Sequence, residues 1–242
     1  MKHPQLSTLR GLLAAALCLA TLSVAQAHYL WIERSGANAT VYFGEFEESA
    51  RERSPGRLDE IPAPQAQVLS GKSAAPVALH KQADGFAFAP LEAGPRPLVV
   101  EESAVGVKDW TASGIGMVKP YFYARYQPRN VQADAPAMTL DILPLAQRGQ
   151  FRVYFRGQPL PKAAVKIVAP NTWAQEGRTD PTGTVELPLP WAGQYIVQVI
   201  HLEAGSGEYE GKPYQAKRHR ATLTYLASKG SPKVLPKQGA MQ

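Results

Sequence analysis

Short apolar runs alternating with polar positions recur along the chain, and no apolar stripe of helical period lasts over the roughly 11 positions that a helix face needs. The pattern predicts strands over Ala39–Phe43, Val77–His80, Phe86–Phe88, Pro97–Glu101 and Pro120–Tyr126. After a Pro/Ala-rich joint (Val131–Met138), further strands are predicted over Thr139–Leu143, Phe151–Phe155, Ala164–Val168, Gly183–Leu187, Gly193–His201 and Arg218–Tyr225. Turn chemistry separates them at Arg156–Pro159, Asp180–Gly183, Trp191–Gly193 and Gly205–Gly207. Many short strands joined in this way predict an all-β fold of two antiparallel sandwich halves. Helical signal is confined to a turn or two around Glu47–Arg53.

The order of strands and turns after the joint predicts an Ig-like or transthyretin-like sandwich over residues 139–226. An N-terminal β-sandwich domain is predicted over 28–138 and a flexible tail over 227–242, which is rich in Lys, Pro, Gly, Ser and Gln. Composition agrees with this reading: 21 Pro, 20 Gly and 10 Tyr in 242 residues disfavour a helical bundle. An apolar fraction of 45% excludes wholesale disorder.

Met1–Ala27 reads as a cleaved secretory signal. Lys2 and Arg10 form the basic end, Gly11–Val24 the apolar centre, and Ala25-Gln26-Ala27 the cleavage site. The apolar run is shorter than the roughly 20 residues a spanning helix needs. Export to the periplasm is therefore expected, with no membrane span afterwards. Cleavage removes Lys2, Arg10 and the single cysteine, Cys18. The 26 basic residues fall to 24 against 20 acidic ones, a net charge of +4 instead of +6. Part of that surplus sits on Lys229, Lys233 and Lys237 of the tail. Charge is thus a poor guide to a partner, and nucleic-acid binding is not expected.

The mature chain would begin His28-Tyr29-Leu30-Trp31. A terminal His offers its α-amine and Nδ1 in one chelate ring, an arrangement that suits Cu(II) when a second His joins it. Nickel and zinc also take imidazole. The remaining histidines are His80, His201 and His219. A hairpin turning at Gly205–Gly207 would bring His201 and His219 close together. The candidate metal ligands are therefore His28, His201 and His219, with His80 a weaker choice in a polar stretch. Glu45–Glu48 could offer oxygen ligands, although a solvated turn is the commoner use of such a run. Trp110, Tyr121, Phe122, Tyr123 and Tyr126 are expected to pack as core and rim. No GxSxG, HExxH, phosphate loop or GxGxxG occurs, so no enzyme is expected.

His28-Tyr29-Leu30-Trp31 after the cleavage site is one mark of a family. Leu140–Leu145 followed by Phe151–Val168 is a second, and His201 with the closing Arg218–Tyr225 is a third. Together they resemble a bacterial periplasmic family of unknown function whose members are often described as periplasmic components of cobalt or nickel uptake by ABC-type transport. The resemblance implies a periplasmic β-sandwich protein tied to transition-metal handling, and with His28 at its start the expected function is non-catalytic binding or uptake of a transition-metal ion (nickel, cobalt or copper). It also implies an inner- or outer-membrane metal transporter as partner. A different class of function fits the same fold: an extracytoplasmic interaction module for a glycan, a peptide or a membrane protein. A copper-dependent oxidative enzyme built on the terminal His is a third, and it would need a second His and an open coordination position.

Overall fold

The computed structural model describes residues 28–230, apart from 72, 93 and 134. The expected signal (1–27) and all but the first residues of the expected tail lie outside these. The described residues form an all-β structure with two short 3-10 turns, Arg57–Glu60 and Thr111–Ser113. None of their helices is long and apolar enough to cross a membrane.

The strands build three sheets. The first runs Tyr29–Ser35, Asn38–Glu45, Phe86–Phe88 and Leu79–Lys81, with Ala50–Arg51 added on Asn38–Glu45. The largest runs Ala174–Arg178, Ala164–Val168, Gly193–Tyr209, Lys212–Ala227, Gly116–Gln127, Leu98–Glu102, Gln65–Ser70 and Ser73–Val77, with Lys108–Trp110 beside Gly116–Gln127. The third runs Leu140–Pro144, Gln150–Phe155 and Gln158–Pro159, with Thr184–Glu186 on Gln150–Phe155. Every pairing is antiparallel except that of Gly116–Gln127 with Lys212–Ala227.

That parallel pair explains the architecture. Successive side chains of a strand point to opposite faces. In Gly116–Gln127, Phe122, Ala124 and Tyr126 enter one core with Leu30, Ile32, Val41, Phe43 and Phe86 of the first sheet. Tyr123, between them, enters the other core with Leu140, Ile142, Phe151 and Val153 of the third sheet. Leu98 and Val100 divide from Val99 in the same way. The largest sheet is therefore a central wall, apolar on both faces, with one sheet packed on each side. This gives three layers in which two sandwiches share a sheet. Residue 138 lies where the chain leaves the central sheet to build the third layer. Hydrogen bonding crosses this point, since Phe122 pairs with Arg220. Side chains at the centre of both cores are fully buried: Ile32 and Leu98 in the first, Phe151 and Tyr195 in the second, each 0% exposed.

Two local expectations change. Glu47–Arg53 is not helical; residues 46–49 turn and Ala50–Arg51 returns as a short strand. Gly44 has φ +146 and Ser49 φ 54, both outside helical geometry. The hairpin after Gly193 does not turn at Gly205–Gly207. It turns at Glu210-Gly211, both with positive φ, as a two-residue hairpin favours. Gly205–Gly207 instead absorbs a register shift, a bulge within the ribbon. Tyr29–Ser35, Gln65–Ser70, Lys108–Trp110 and Ala174–Arg178 are strands that the pattern does not single out.

Candidate functional site

The backbone register fixes what surrounds His28. Tyr29 pairs with Gly44, so His28 arrives beside Glu45. Gly44 in turn pairs with Arg51, and Glu52 donates its N–H to Phe43 O (2.8 Å). The imidazole thus stands between two carboxylates, one at the end of Asn38–Glu45 and one just past Ala50–Arg51. Its Nε2 bonds Glu52 Oε1, and its Nδ1 lies 3.0 Å from Glu45 Oε1. The ring also rests on Phe43, with centroids 5.4 Å apart.

An ionised Glu52 can only accept, so Nε2 carries a hydrogen and donates it. Nδ1 is buried and makes no hydrogen bond of acceptable geometry among the described residues. It faces the Glu45 carboxylate. A small cavity of about 30 Å³ opens beside the ring, lined by Phe43, Glu60, Lys108, Trp110, Phe122 and Arg218 among others.

The strand that carries His28 is pinned from below. Arg220 Nη1 donates to His28 O (3.4 Å), and Thr222 Oγ1 donates to Leu30 O (2.6 Å). Tyr29 donates its hydroxyl to Glu47, whose other oxygen accepts from Lys166 Nζ (2.6 Å). Burial first, and the Glu47 carboxylate second, push the Tyr29 phenol well above its usual range. Burial works against ionised Glu47, yet the bonds from Lys166 and Tyr29 hold its carboxyl below its ordinary value.

The second cluster is on the opposite face of the central sheet. His201 and His219 are direct cross-strand partners, with ring centroids 6.4 Å apart. His219 Nδ1 shares a hydrogen bond with the Tyr123 hydroxyl (2.9 Å), and Nε2 is 3.1 Å from Glu203 Oε2. Glu203 also accepts from Arg156 Nη2 (2.7 Å). Tyr121 stacks on the His219 ring at 5.0 Å, and Phe155 covers its edge at 5.1 Å. Burial lowers the pKa of His219, with the Glu203 carboxylate pulling the other way. Burial lowers that of His201 too. Both nitrogens of His219 already have partners, so it presents no free lone pair.

The structure therefore brings His201 and His219 together but does not bring His28 to either. Arg220 reaches His28 on one face while its neighbour His219 meets Phe155 on the other. Layers of packed sheets lie about 10 Å apart. His80 is exposed on the edge strand Leu79–Lys81. Among the described residues, no group of three His, Cys, Asp or Glu side chains is placed to hold a metal ion. The expected ligand set of His28 with His201 or His219 is thus replaced around His28 by carboxylates. Of the aromatic residues, Phe122 and Tyr126 face one core while Tyr121 and Tyr123 face the other.

Sequence reasoning reached Glu45 only as part of an acidic run, and it missed Glu52 and Glu203 entirely. The signal that finds Glu52 is a register: a strand start at His28 opposite the Gly44–Glu45 end, with a turn bringing the chain straight back.

The family model for a domain of unknown function (DUF4198) matches residues 25–203. The match includes His28 and His201 and ends before the closing strand that holds His219. No curated protein matches the chain significantly.

Proposed function

The chain belongs to the DUF4198 family, a domain of unknown function, and on the geometry at His28 we propose that it is a periplasmic transition-metal-binding protein. In this reading the terminal residue of the exported chain holds the ion. The observation that carries the proposal is the pair His28 Nδ1 and Glu45 Oε1, 3.0 Å apart and without a hydrogen bond between them. Two neighbouring ligands at right angles around an ion with bonds near 2.1 Å stand about 3 Å from each other. Glu52 supports the same reading. A ligating His commonly donates its other ring N–H to a carboxylate, which fixes the tautomer and the ring plane.

If the chain begins at His28, its α-amine adds a second nitrogen in a chelate ring with Nδ1. The donor set would then be the amine, the imidazole and the Glu45 carboxylate. Nitrogen and oxygen donors of this kind suit nickel, cobalt or copper, and the remaining positions are left to water or to a ligand carried with the ion. Delivery to a membrane transporter follows as the role of such a site in the periplasm.

Mass spectrometry of the exported protein gives the start of the chain, and titration calorimetry with Ni(II), Co(II) and Cu(II) gives the affinity. The expected result is a His28 N-terminus and a one-to-one complex that His28→Ala and Glu45→Gln each weaken. A different N-terminus, or no binding tighter than about 10 µM, removes the proposal.

A further inference from the structure

The ribbon of Gly193–Tyr209 and Lys212–Ala227 leaves one backbone edge open. Ala164–Val168 pairs with its first strand only from Ile196 to Val199. Just before that pairing the chain turns to another neighbour: Ala163 N–H donates to Thr179 Oγ1 (2.8 Å), and Ala163 O accepts from Thr179 N (3.0 Å). From Ile200 onward the strand is paired on one side alone, with Lys212–Ala227, among the described residues. The bulge at Gly205–Gly207 ends the regular run. The open, regular edge is therefore Ile200-His201-Leu202-Glu203-Ala204. It carries no Lys or Pro, the residues that usually guard such an edge.

The two faces of this run differ. Ile200, Leu202 and Ala204 point to one face, and Ile200 and Leu202 are 44% and 49% exposed. The first sheet covers the same face of the ribbon further along, at Ile196, but does not reach them. His201 and Glu203 point to the other face, against Phe155 and Arg156.

This pattern is complementary to itself. Residues directly opposite in an antiparallel pair share a face. Apolar residues therefore meet apolar ones only in registers that match the two faces. Centred on Glu203, such a pairing sets two carboxylates against each other. Centred on His201, it sets two imidazoles together and leaves Glu203 facing Val199. Centred on Leu202, it places His201 opposite Glu203 of a second copy, Leu202 opposite Leu202, and Ile200 opposite Ala204. Only this last register satisfies both faces.

We propose that Ile200–Ala204 pairs antiparallel with the same segment of a second copy, centred on Leu202. The result is a twofold dimer whose central sheets join into one. Such an interface uses the same patch on both copies and closes without leaving an edge to grow. Main-chain hydrogen bonds supply the attraction, and the His201–Glu203 pairing sets the register.

The test uses light scattering and cysteine cross-linking on the exported chain, from which the expected cleavage removes Cys18, the single native cysteine. Leu202→Cys places two thiols opposite each other across the axis and is expected to give a covalent dimer under mild oxidation. Ile200→Cys stands four residues out of register with its own mate, about 14 Å away, and is expected not to cross-link. Combining Ile200→Cys chains with Ala204→Cys chains restores the bond. Leu202→Lys is expected to yield a monomer that keeps its fold, read from an unchanged circular dichroism spectrum, since the side chain is exposed in the single chain. A chain that stays monomeric up to about 1 mM overturns the proposal, as does cross-linking at Ile200→Cys equal to that at Leu202→Cys. Capture of a different protein's strand by an otherwise monomeric chain overturns it too.

Discussion

Arg125 and Asp141 form a two-point ion pair in the interior, with Nε to Oδ1 at 2.8 Å and Nη2 to Oδ2 at 2.6 Å. Their side chains are 1% and 0% exposed. Arg125 belongs to the central sheet and Asp141 to the third, so the pair ties two layers together. The remaining acceptor capacity of Asp141 is filled by the N–H groups of Ala137 and Ile142, and Arg125 Nη1 also donates to Gln127 Oε1. Removing one partner strands a buried charge, which costs about 3–5 kcal/mol. Asp141→Ala is expected to lose that much in urea unfolding at neutral pH. Replacing both groups, Arg125→Met with Asp141→Leu, is expected to lose clearly less. Equal losses in the single and double variants would show that the pair itself, rather than the stranded charge, sets the cost.

Gly44 controls the turn that supplies three of the acidic groups around the N-terminal strand. Its φ is +146, and a Cβ there would lie 2.1 Å from Ala50 O, a backbone atom that cannot swing aside. Gly44→Ala is therefore expected to move the segment carrying Glu45, Glu47 and Glu52. Strain at such a position costs about 1–3 kcal/mol. Thermal unfolding reads the stability loss, and metal titration reads the displaced Glu45. A variant with unchanged stability and unchanged metal affinity would contradict this account.

His219 gives the molecule a stability that depends on pH. Its neighbours are Glu203, Arg156, His201, Tyr121 and Tyr123. Burial lowers its pKa from the ordinary 6.5. In the folded protein it therefore binds its proton less readily than in the unfolded chain. The stability it contributes is complete above pH 6.5 and falls as pH drops through that value toward the folded pKa. Glu101 and Glu102 act in the opposite sense, because burial raises their pKa values from 4.5. The difference between wild type and His219→Gln isolates the histidine. Urea midpoints between pH 7.5 and 5 are expected to fall more steeply for wild type. Parallel curves would show that His219 titrates alike in both states.

The strand pattern of the sequence carried most of the fold. Ala164–Val168 and Phe86–Phe88 stand where alternation placed them, because each has one face in a core. Sharing of the central sheet was hidden for a physical reason. Strands buried on both faces lose alternation, as Pro120–Tyr126 does, and a run without alternation does not say which sheet lies on which side. The parallel pairing of Tyr121 with His219 joins segments about a hundred positions apart, and no local signal encodes it. At the site, His201 and His219 were legible because a hairpin is a local device. Glu52 was not, because its approach to His28 depends on the two registers that join three successive strands.

Glu52 provides the sharpest test of the metal reading, because it touches His28 only through Nε2. Its carboxylate also lies 3.8 Å from Arg57 Nη1. If Nδ1 serves an ion beside Glu45, then Glu52 fixes the imidazole with its hydrogen on Nε2 and its lone pair on Nδ1. Glu52→Gln keeps the size of the side chain but accepts this hydrogen less strongly and no longer favours that tautomer by charge. Loss of such a supporting carboxylate lowers metal affinity about 10–100-fold. The expected outcome is a drop of that size for nickel, cobalt or copper, with the one-to-one stoichiometry kept. Glu45→Gln removes a donor oxygen and is expected to weaken binding at least as much. A purely electrostatic clamp on a protonated His28 behaves otherwise. Both variants would then shift the pH dependence of unfolding and leave metal affinity where it was, and that result would end the case for a metal at the N-terminus.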